Sequence, residues 1–531
     1  MYSTVITGAL QGISAYPVSV EVDISPGLPV FNLVGSLSQE VREARERVSV
    51  ALRNTGFHLP PSRITVNLSP ANRRKEGTAF DLPIAVGLLS AMNQFSDKRT
   101  EGILFLGELG LDGEIKGVPG VLPIVREAAS QGVRQCIVPA ANALEGALIS
   151  GVTVRGAASL RELLDFLLSE GDEGERLLPA VRLDAVKLFQ QKAAERAPDF
   201  SEVNGQETAK RGAEIAAAGF HNLLMVGPPG SGKSMIAKRI PGILPPLTLE
   251  ESLDVTSVFS VAGLLKEGEA MVTRRPFNSP HHSITQAALV GGSSTPRPGM
   301  ISLAHRGVLF LDELPEFQRA TLDSLRQPLE EREVHIARVN GTVTYPSDFM
   351  LICAMNPCPC GFYPDVNRCR CTEPQVRRYM GKVSGPILDR IDLCVELQAV
   401  GIESLKCGKA SESSEAIRKR IIRARERQRE RFQGTGYRFN GDIEAADIES
   451  YCALGKREQQ YVEQLYRRLN LSVRAYHRIL KVARTIADLA EAPEIDVEHL
   501  LEASFYRPAQ DYWGQALRPA APDKRSSAEM R

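Results

Sequence analysis

The eight residues Gly227-Pro228-Pro229-Gly230-Ser231-Gly232-Lys233-Ser234 constrain this chain more tightly than any other stretch. They follow a short apolar run, Leu223 to Val226, and precede a helical pattern, MIAKRI. The order strand, glycine-rich loop, helix is the context in which G-x-x-x-x-G-K-[ST] binds phosphate. Glycines let consecutive amides curl around an anion, and the helix N-terminus adds a favourable dipole. Lys233 is then expected on the β- and γ-phosphates of ATP and Ser234 on Mg2+, with residues 227–234 forming the cradle. A fold that presents such a loop has a parallel sheet, which predicts an α/β core.

The residues that complete phosphoryl chemistry follow in order. In GVLFLDELPEF the strand-like run Val308 to Leu311 ends in Asp312-Glu313. A carboxylate at the tip of a buried strand can hold Mg2+, and its neighbour can orient and deprotonate water, so Asp312 is read as the metal-side residue and Glu313 as the base. The run FMLICAMN ends in Asn356, a polar group suited to bridge γ-phosphate and water. SGPILDRIDL offers Arg390 and LSVRAYHR offers Arg474, planar permanent cations of the kind that stabilise charge on a transferred phosphoryl group, sometimes from a neighbouring subunit.

This ordered set resembles Walker A, Walker B, sensor 1, arginine finger and sensor 2 of AAA+ ATPases. RPFNSPHHSITQAALVGG (275–292), PRPGMISLAHRGVLFLDELPEF (296–317) and SGPILDRIDL resemble, more narrowly, the magnesium-chelatase-like family of the ComM/YifB type, over residues 1 to 508 or so. The resemblance implies ATP hydrolysis at the subunit interfaces of a homo-oligomeric ring, expected to be a hexamer. It places Arg390 on the neighbour's nucleotide and Arg474 on the chain's own.

The N-terminal region is similar to the Lon-protease domain. Alignment of KEGTAFDLPIAVGLLSA (75–91) puts Ala79 where Lon has its serine, and GELGLDGEIKGVPGVLPI (107–124) puts Leu122 where Lon has its lysine. Without hydroxyl and amine there is neither nucleophile nor base, so no protease activity is expected. Ser69, Ser90 and Lys116 lie close enough in sequence to be weighed as a shifted dyad.

The expected architecture is α/β multidomain: an α+β Lon-like domain (1–168), a linker (169–194) opening on the acidic SEGDEGER, and an AAA+ core (195–401). A helical C-terminal lid (402–510) and a disordered tail (511–531) complete it. No long apolar run or leader-like N-terminus is present, which predicts a cytoplasmic protein with no membrane partner.

DNA, single-stranded or branched, is the expected substrate. EVHIARVNGTVTYPSD (333–348) reads as a hairpin turning at Asn340-Gly341, with Arg338 near its tip, and resembles the pore hairpins of ring helicases. Residues 415–431 carry eight Lys/Arg against three Glu, and 456–484 carry eight against two acids. Such stripes can follow phosphates or be solvated faces. A protein-remodelling or chelatase motor is the alternative, although magnesium insertion requires partner subunits that this chain does not contain. His281-His282 reads as a loop element at a pore or subunit interface. Finally, Cys358, Cys360, Cys369 and Cys371 form C-x-C, eight residues, C-x-C, four thiolates able to hold a structural Zn2+, with reduced thiols and a redox pair as the other readings.

Overall fold

The computed structural model describes residues 1–169, 172–193, 198–266, 268–292, 296–338, 341–365, 367–398, 411–469 and 471–506. The expected tail, 511–531, and the boundary at 401–402 lie outside the described residues.

The first sheet has seven strands, β1 (Tyr2–Gln11), β2 (Ser14–Ser25), β3 (Val30–Val34), β4 (Arg63–Ser69), β5 (Ile103–Phe105), β8 (Gln135–Pro139) and β9 (Thr153–Ala157), in the order β3-β4-β2-β1-β5-β8-β9. A separate ribbon pairs β6 (Glu108–Leu109) with β7 (Ile115–Lys116). β2 shows why a sheet forms here: Tyr16, Val18, Val20, Val22 and Ile24 are buried and alternate with more exposed neighbours. Helix Gln39–Asn54 answers with Val41, Ala44, Val48 and Ala51 on one face, the spacing that buries a single helical stripe. Helix Asp81–Ala91 is buried along its whole length and packs on β1 and β2.

The second sheet contains β10 (Leu223–Val226), β11 (Phe277–Asn278), β12 (Val308–Leu311), β15 (Met350–Met355) and β16 (Leu393–Glu396), all parallel, ordered β11-β12-β15-β10-β16. Between β12 and β15 the chain inserts an antiparallel pair, β13 (Glu333–Arg338) and β14 (Gly341–Pro346). Every residue of β10, β12 and β15 is buried, as expected for strands covered on both faces.

After residue 411 the chain is helical, with Ser414–Arg431, Lys456–Leu469, Val473–Leu489 and Val497–Phe505 as its longest helices. Ile417, Ile421, Ala424, Ile479, Ala483 and Ile486 share one apolar core with Leu223 and Met225 of β10, so the helices close one face of the second sheet. Residues 172–193, expected as linker, carry helices Asp172–Leu177 and Ala185–Ala193. Leu183, Leu188 and Phe189 pack beside buried Leu122, Ala270 and Met271, which gives that segment an apolar anchor its acidic start does not suggest. The first sheet's layer is also joined to the second by the amide of Gly120 donating to Ser260 O at 3.0 Å and by Arg126 with Asp254 at 3.3 Å.

Two buried histidines tie the fold to pH. His221, at the foot of β10, faces the Thr485 hydroxyl at 2.8 Å, and burial pushes it down to about 4 against the opposing pull of Asp392. His305 accepts the Asp348 amide at 3.1 Å through Nδ1, and burial, aided by Arg306 and Arg275, pushes it down to about 3. Unfolded imidazoles titrate near 6.5, so below that pH the unfolded chain binds protons that the folded chain refuses. Stability is therefore expected to be full above about pH 6.5 and to fall by up to about 2.7 kcal/mol per pH unit toward pH 4 through these two groups. Urea midpoints at pH 7 and pH 5 check this, and the drop should shrink in His221→Gln.

Candidate nucleotide site

Because β10, β12 and β15 run parallel and adjacent, their carboxyl ends deliver loop 227–234, Asp312-Glu313 and Asn356 to one edge, where open α/β sheets bind ligands. Gly230 and Gly232 stand at φ +76° and +92°, left-handed conformations that other residues reach only with strain. They turn the loop into helix Lys233–Ile243, whose cap has no side-chain hydrogen bond, so its first amides face the loop.

The predicted groups are in contact. The Lys233 ammonium donates to Gly227 O at 2.7 Å, Pro228 O at 2.9 Å and Asn356 Oδ1 at 3.1 Å. Burial holds its pKa below the usual lysine range, with Asp312 pulling the other way. The Ser234 hydroxyl donates to Asp312 Oδ2 at 2.7 Å, and Asp312 Oδ1 accepts the Glu313 amide at 2.9 Å. The Ser231 hydroxyl is buried and has no hydrogen-bond partner among the described residues. An orphaned donor beside a lysine and a helix N-terminus fits a phosphate, because each unsatisfied buried polar group costs about 1–3 kcal/mol. The Ser234–Asp312 pair, hydroxyl against carboxylate, likewise fits Mg2+, which takes oxygen ligands.

Three features of the site are absent from the sequence reading. Glu313 occupies the left-handed region at φ 52°, ψ 47°, a strained setting for a non-glycine residue of the kind that collects at active sites. Its carboxylate, more than half exposed, lies 3.4 Å from His282 Nδ1, and the His282 ring stands 4.0 Å from that of His281. His282, expected with His281 as a loop element at a pore or subunit interface, thus reaches Glu313. Tyr379, buried close to the amide of Asn356, has its hydroxyl pushed up to about 12 by burial first, then by Glu316 and Glu313.

The arginines stand apart from this cluster. Arg390 pairs with Glu330, and burial followed by the charges of Arg474, Arg326 and Arg478 lowers its pKa. Arg474 is exposed and lies 3.5 Å from Asp389. Among the described hydrogen bonds and ion pairs, neither arginine touches Lys233, Ser234 or Asp312; they gather beside Asp389 and Glu330, with Arg478 donating to Ile391 O at 2.6 Å.

The four loop thiols do converge. Cys358 Sγ is 3.3 Å from Cys360 Sγ and 3.8 Å from Cys369 Sγ, Cys360 and Cys369 are 3.6 Å apart, and all four sulfurs including Cys371 lie within 4.8 Å of one another. The amides of Phe362 and Arg370 bring the Cys360 thiol down to about 6. The cluster is compatible with Zn2+.

Much of the first basic stripe is spent inside the chain. Arg420 pairs with Glu214 and Glu412, Arg423 with Glu491 and Arg431 with Asp488, while Arg425 stacks on Phe439 at 4.1 Å. In the second stripe Arg478 and Arg484 are buried, whereas Lys456, Arg457, Arg467, Arg468 and Arg474 are exposed. The hairpin is not free on both faces: Val334, Ile336 and Tyr345 enter the core, and the β1–β2 turn sits so close that a methyl at Gly12 would be 2.7 Å from Val343. Arg338 pairs with Gly341 in the β13–β14 register, so Gly341 lies in the strand; residues 339–340, including the expected turn residue Asn340, and the Arg338 side chain are outside the described residues.

In the N-terminal region Leu122 is wholly buried and Ala79 lines a cavity of ≈ 300 Å³. The Ser90 hydroxyl is engaged by Asp97, Lys116 is exposed on the β6–β7 ribbon and Ser69 ends β4, so these three form no described hydrogen-bonded dyad. No described helix is long and apolar enough to cross a membrane.

Known proteins are similar to this chain over most of its length. The family profile described as magnesium chelatase, subunit ChlI, matches residues 199–405; a second, subunit ChlI of Mg-chelatase, matches 20–142; and a third, the ChlI C-terminal region, matches 411–507. YifB of Salmonella typhimurium is 45% identical over 504 residues, covering 94% of this chain and 96% of its own length. Competence protein ComM of Haemophilus influenzae is 42% identical over 507 residues, covering 95% and 97%. Lon protease 2 of Bacillus subtilis is 29% identical over 210 residues, covering 34% of this chain and 36% of its own.

Proposed function

The chain belongs to the magnesium-chelatase-like AAA+ family of the ComM/YifB type, and from that premise we propose that it is an ATP-hydrolysing ring motor, a hexamer, that translocates or branch-migrates DNA in the cytoplasm. One observation carries the ATPase reading: a continuous chain of bonds from Asn356 through Lys233, and from Ser234 through Asp312 to Glu313, at the carboxyl edge of one parallel sheet.

Lys233 and the amides of residues 230–234 bind and orient the β- and γ-phosphates. Ser234 and Asp312 would hold a Mg2+ ion, which when bound would supply Lewis-acid polarisation of the phosphate oxygens. Asn356 fixes Lys233 and the attacking water relative to each other. Glu313 takes the water's proton onto its carboxylate, and His282 holds that carboxylate until it is aligned. Arg390 and Arg474 lie beyond the chain's own phosphate cradle, which supports a role across a subunit interface for Arg390. For Arg474 the proposed role is toward the chain's own nucleotide, from the start of helix Val473–Leu489.

The DNA reading rests on the near full-length similarity to a competence protein and on the exposed basic groups between Lys456 and Arg474. The N-terminal region is read as a Lon-like domain without protease chemistry and the C-terminal helices as the lid. The profile descriptions favour the second reading, a chelatase or remodelling motor. ATP turnover with and without DNA separates the two: stimulation by single-stranded or branched DNA supports the motor on DNA, and indifference to both excludes it.

A further inference from the structure

We propose that Cys358, Cys360, Cys369 and Cys371 bind one Zn2+ as a tetrathiolate, and that this knuckle props the phosphate-binding loop through the contact of Gly361 with Pro229. Zn–S bonds of about 2.3 Å in a tetrahedron separate sulfurs by about 3.8 Å. Among Cys358, Cys360 and Cys369 the separations run from 3.3 to 3.8 Å, close to and slightly inside that edge length, and Cys371 Sγ lies within 4.8 Å of the other three. The separations among the first three are also alike, as they must be around one centre; disulfides would instead bring the sulfurs together in pairs at about 2.0 Å. Thiols buried only as small apolar groups have no reason to turn sulfur toward sulfur, yet here four do so although only Cys358 is fully buried.

The surrounding backbone is built for thiolates. The Tyr363 amide points at Cys358 Sγ from 3.4 Å. Asp365 organises the intervening loop, its carbonyl accepting the amides of Arg368 and Cys369 and its carboxylate that of Asn367 at 2.9 Å. Arg368 lies over the Phe362 ring at 4.1 Å, which closes the loop on itself. Each thiol that joins the metal does so as thiolate and gives its proton to solvent.

The link to the nucleotide loop is steric. Gly361, at φ +86°, approaches so closely that a Cβ there would be 2.4 Å from Pro229 Cδ and 2.8 Å from Cγ. The same knuckle begins two residues after Asn356, which holds Lys233. Metal occupancy therefore fixes the backbone on which both Pro229 and Asn356 rest. This second half of the proposal depends on residues 227–234 binding nucleotide.

The test uses the full-length chain purified under reducing conditions. Zinc is measured by emission spectroscopy and by release with a mercurial, cobalt replaces it as a spectroscopic probe, and ADP affinity is measured before and after removal while circular dichroism follows the fold. One zinc per chain, thiolate-to-cobalt charge transfer with tetrahedral bands, and ADP binding weakened about tenfold on removal and restored by zinc are expected. Gly361→Ala should keep its zinc yet bind ADP more weakly, and Cys369→Ser with Cys371→Ser should lose the metal. Chain free of zinc that also gives no cobalt–thiolate spectrum overturns the metal site. Unchanged ADP affinity after zinc removal overturns the link alone, and a zinc-loaded chain that never binds ADP overturns the link together with the nucleotide reading.

Discussion

Glu313→Gln should bind ATP with wild-type affinity and hydrolyse it about a thousandfold more slowly, because the amide keeps the size of the side chain but cannot accept the water's proton. The fold should be indifferent to the change: the carboxylate is more than half exposed, and its partner is the tip of His282 at 3.4 Å rather than a packed core. Lys233→Ala gives the contrast. It removes the ammonium that spans Gly227 O, Pro228 O and Asn356 Oδ1, so its loss falls on nucleotide affinity as well as rate. Equilibrium binding of labelled ATP beside single-turnover hydrolysis distinguishes the two, and normal hydrolysis by Glu313→Gln would remove Glu313 from the role of base.

Asp488→Ala should destabilise the helical region by about 3–5 kcal/mol, the cost of leaving buried cations without their anion. Asp488 is fully buried and accepts from Arg431 at 2.5 and 2.8 Å, from Arg484 at 3.0 Å and from the Asn440 amide at 2.8 Å. Arg484 is itself only 5% exposed, so no solvent replaces the lost carboxylate. Because those helices share the core of β10, the thermal midpoint should drop by about 10 °C. Asp488→Asn should lose less, since its carbonyl still accepts one arginine. A loss under about 1 kcal/mol for the alanine variant would mean that water reaches the arginines.

The difference between these residues shows what could be read from the chain. Loop 227–234, Asp312-Glu313 and Asn356 are local signals: a fully apolar strand followed at once by a residue type that phosphate chemistry requires. Their meeting follows from parallel strands whose carboxyl ends share an edge. The destination of the arginines in 415–431 is not local, because Glu214, Asp488 and Glu491, which absorb them, come from other elements. For the same reason the charge count overstated the stripe as a surface for phosphates. His282 beside Glu313 and Gly361 beneath Pro229 are contacts between loops, where no periodicity reports on neighbours. The helices of 172–193 were hidden by an acidic, glycine-containing start, although the apolar Leu183, Leu188 and Phe189 beyond it supply the anchor.

The measurement that bears most directly on the account is ATP turnover by the assembled full-length chain, alone, with single-stranded DNA and with a four-way junction, at two salt concentrations. Severalfold stimulation, weakened by salt as phosphate contacts to lysine and arginine are, and absent in Glu313→Gln, is the predicted result. Steady basal hydrolysis that neither DNA changes at either salt concentration would contradict a motor that works on DNA.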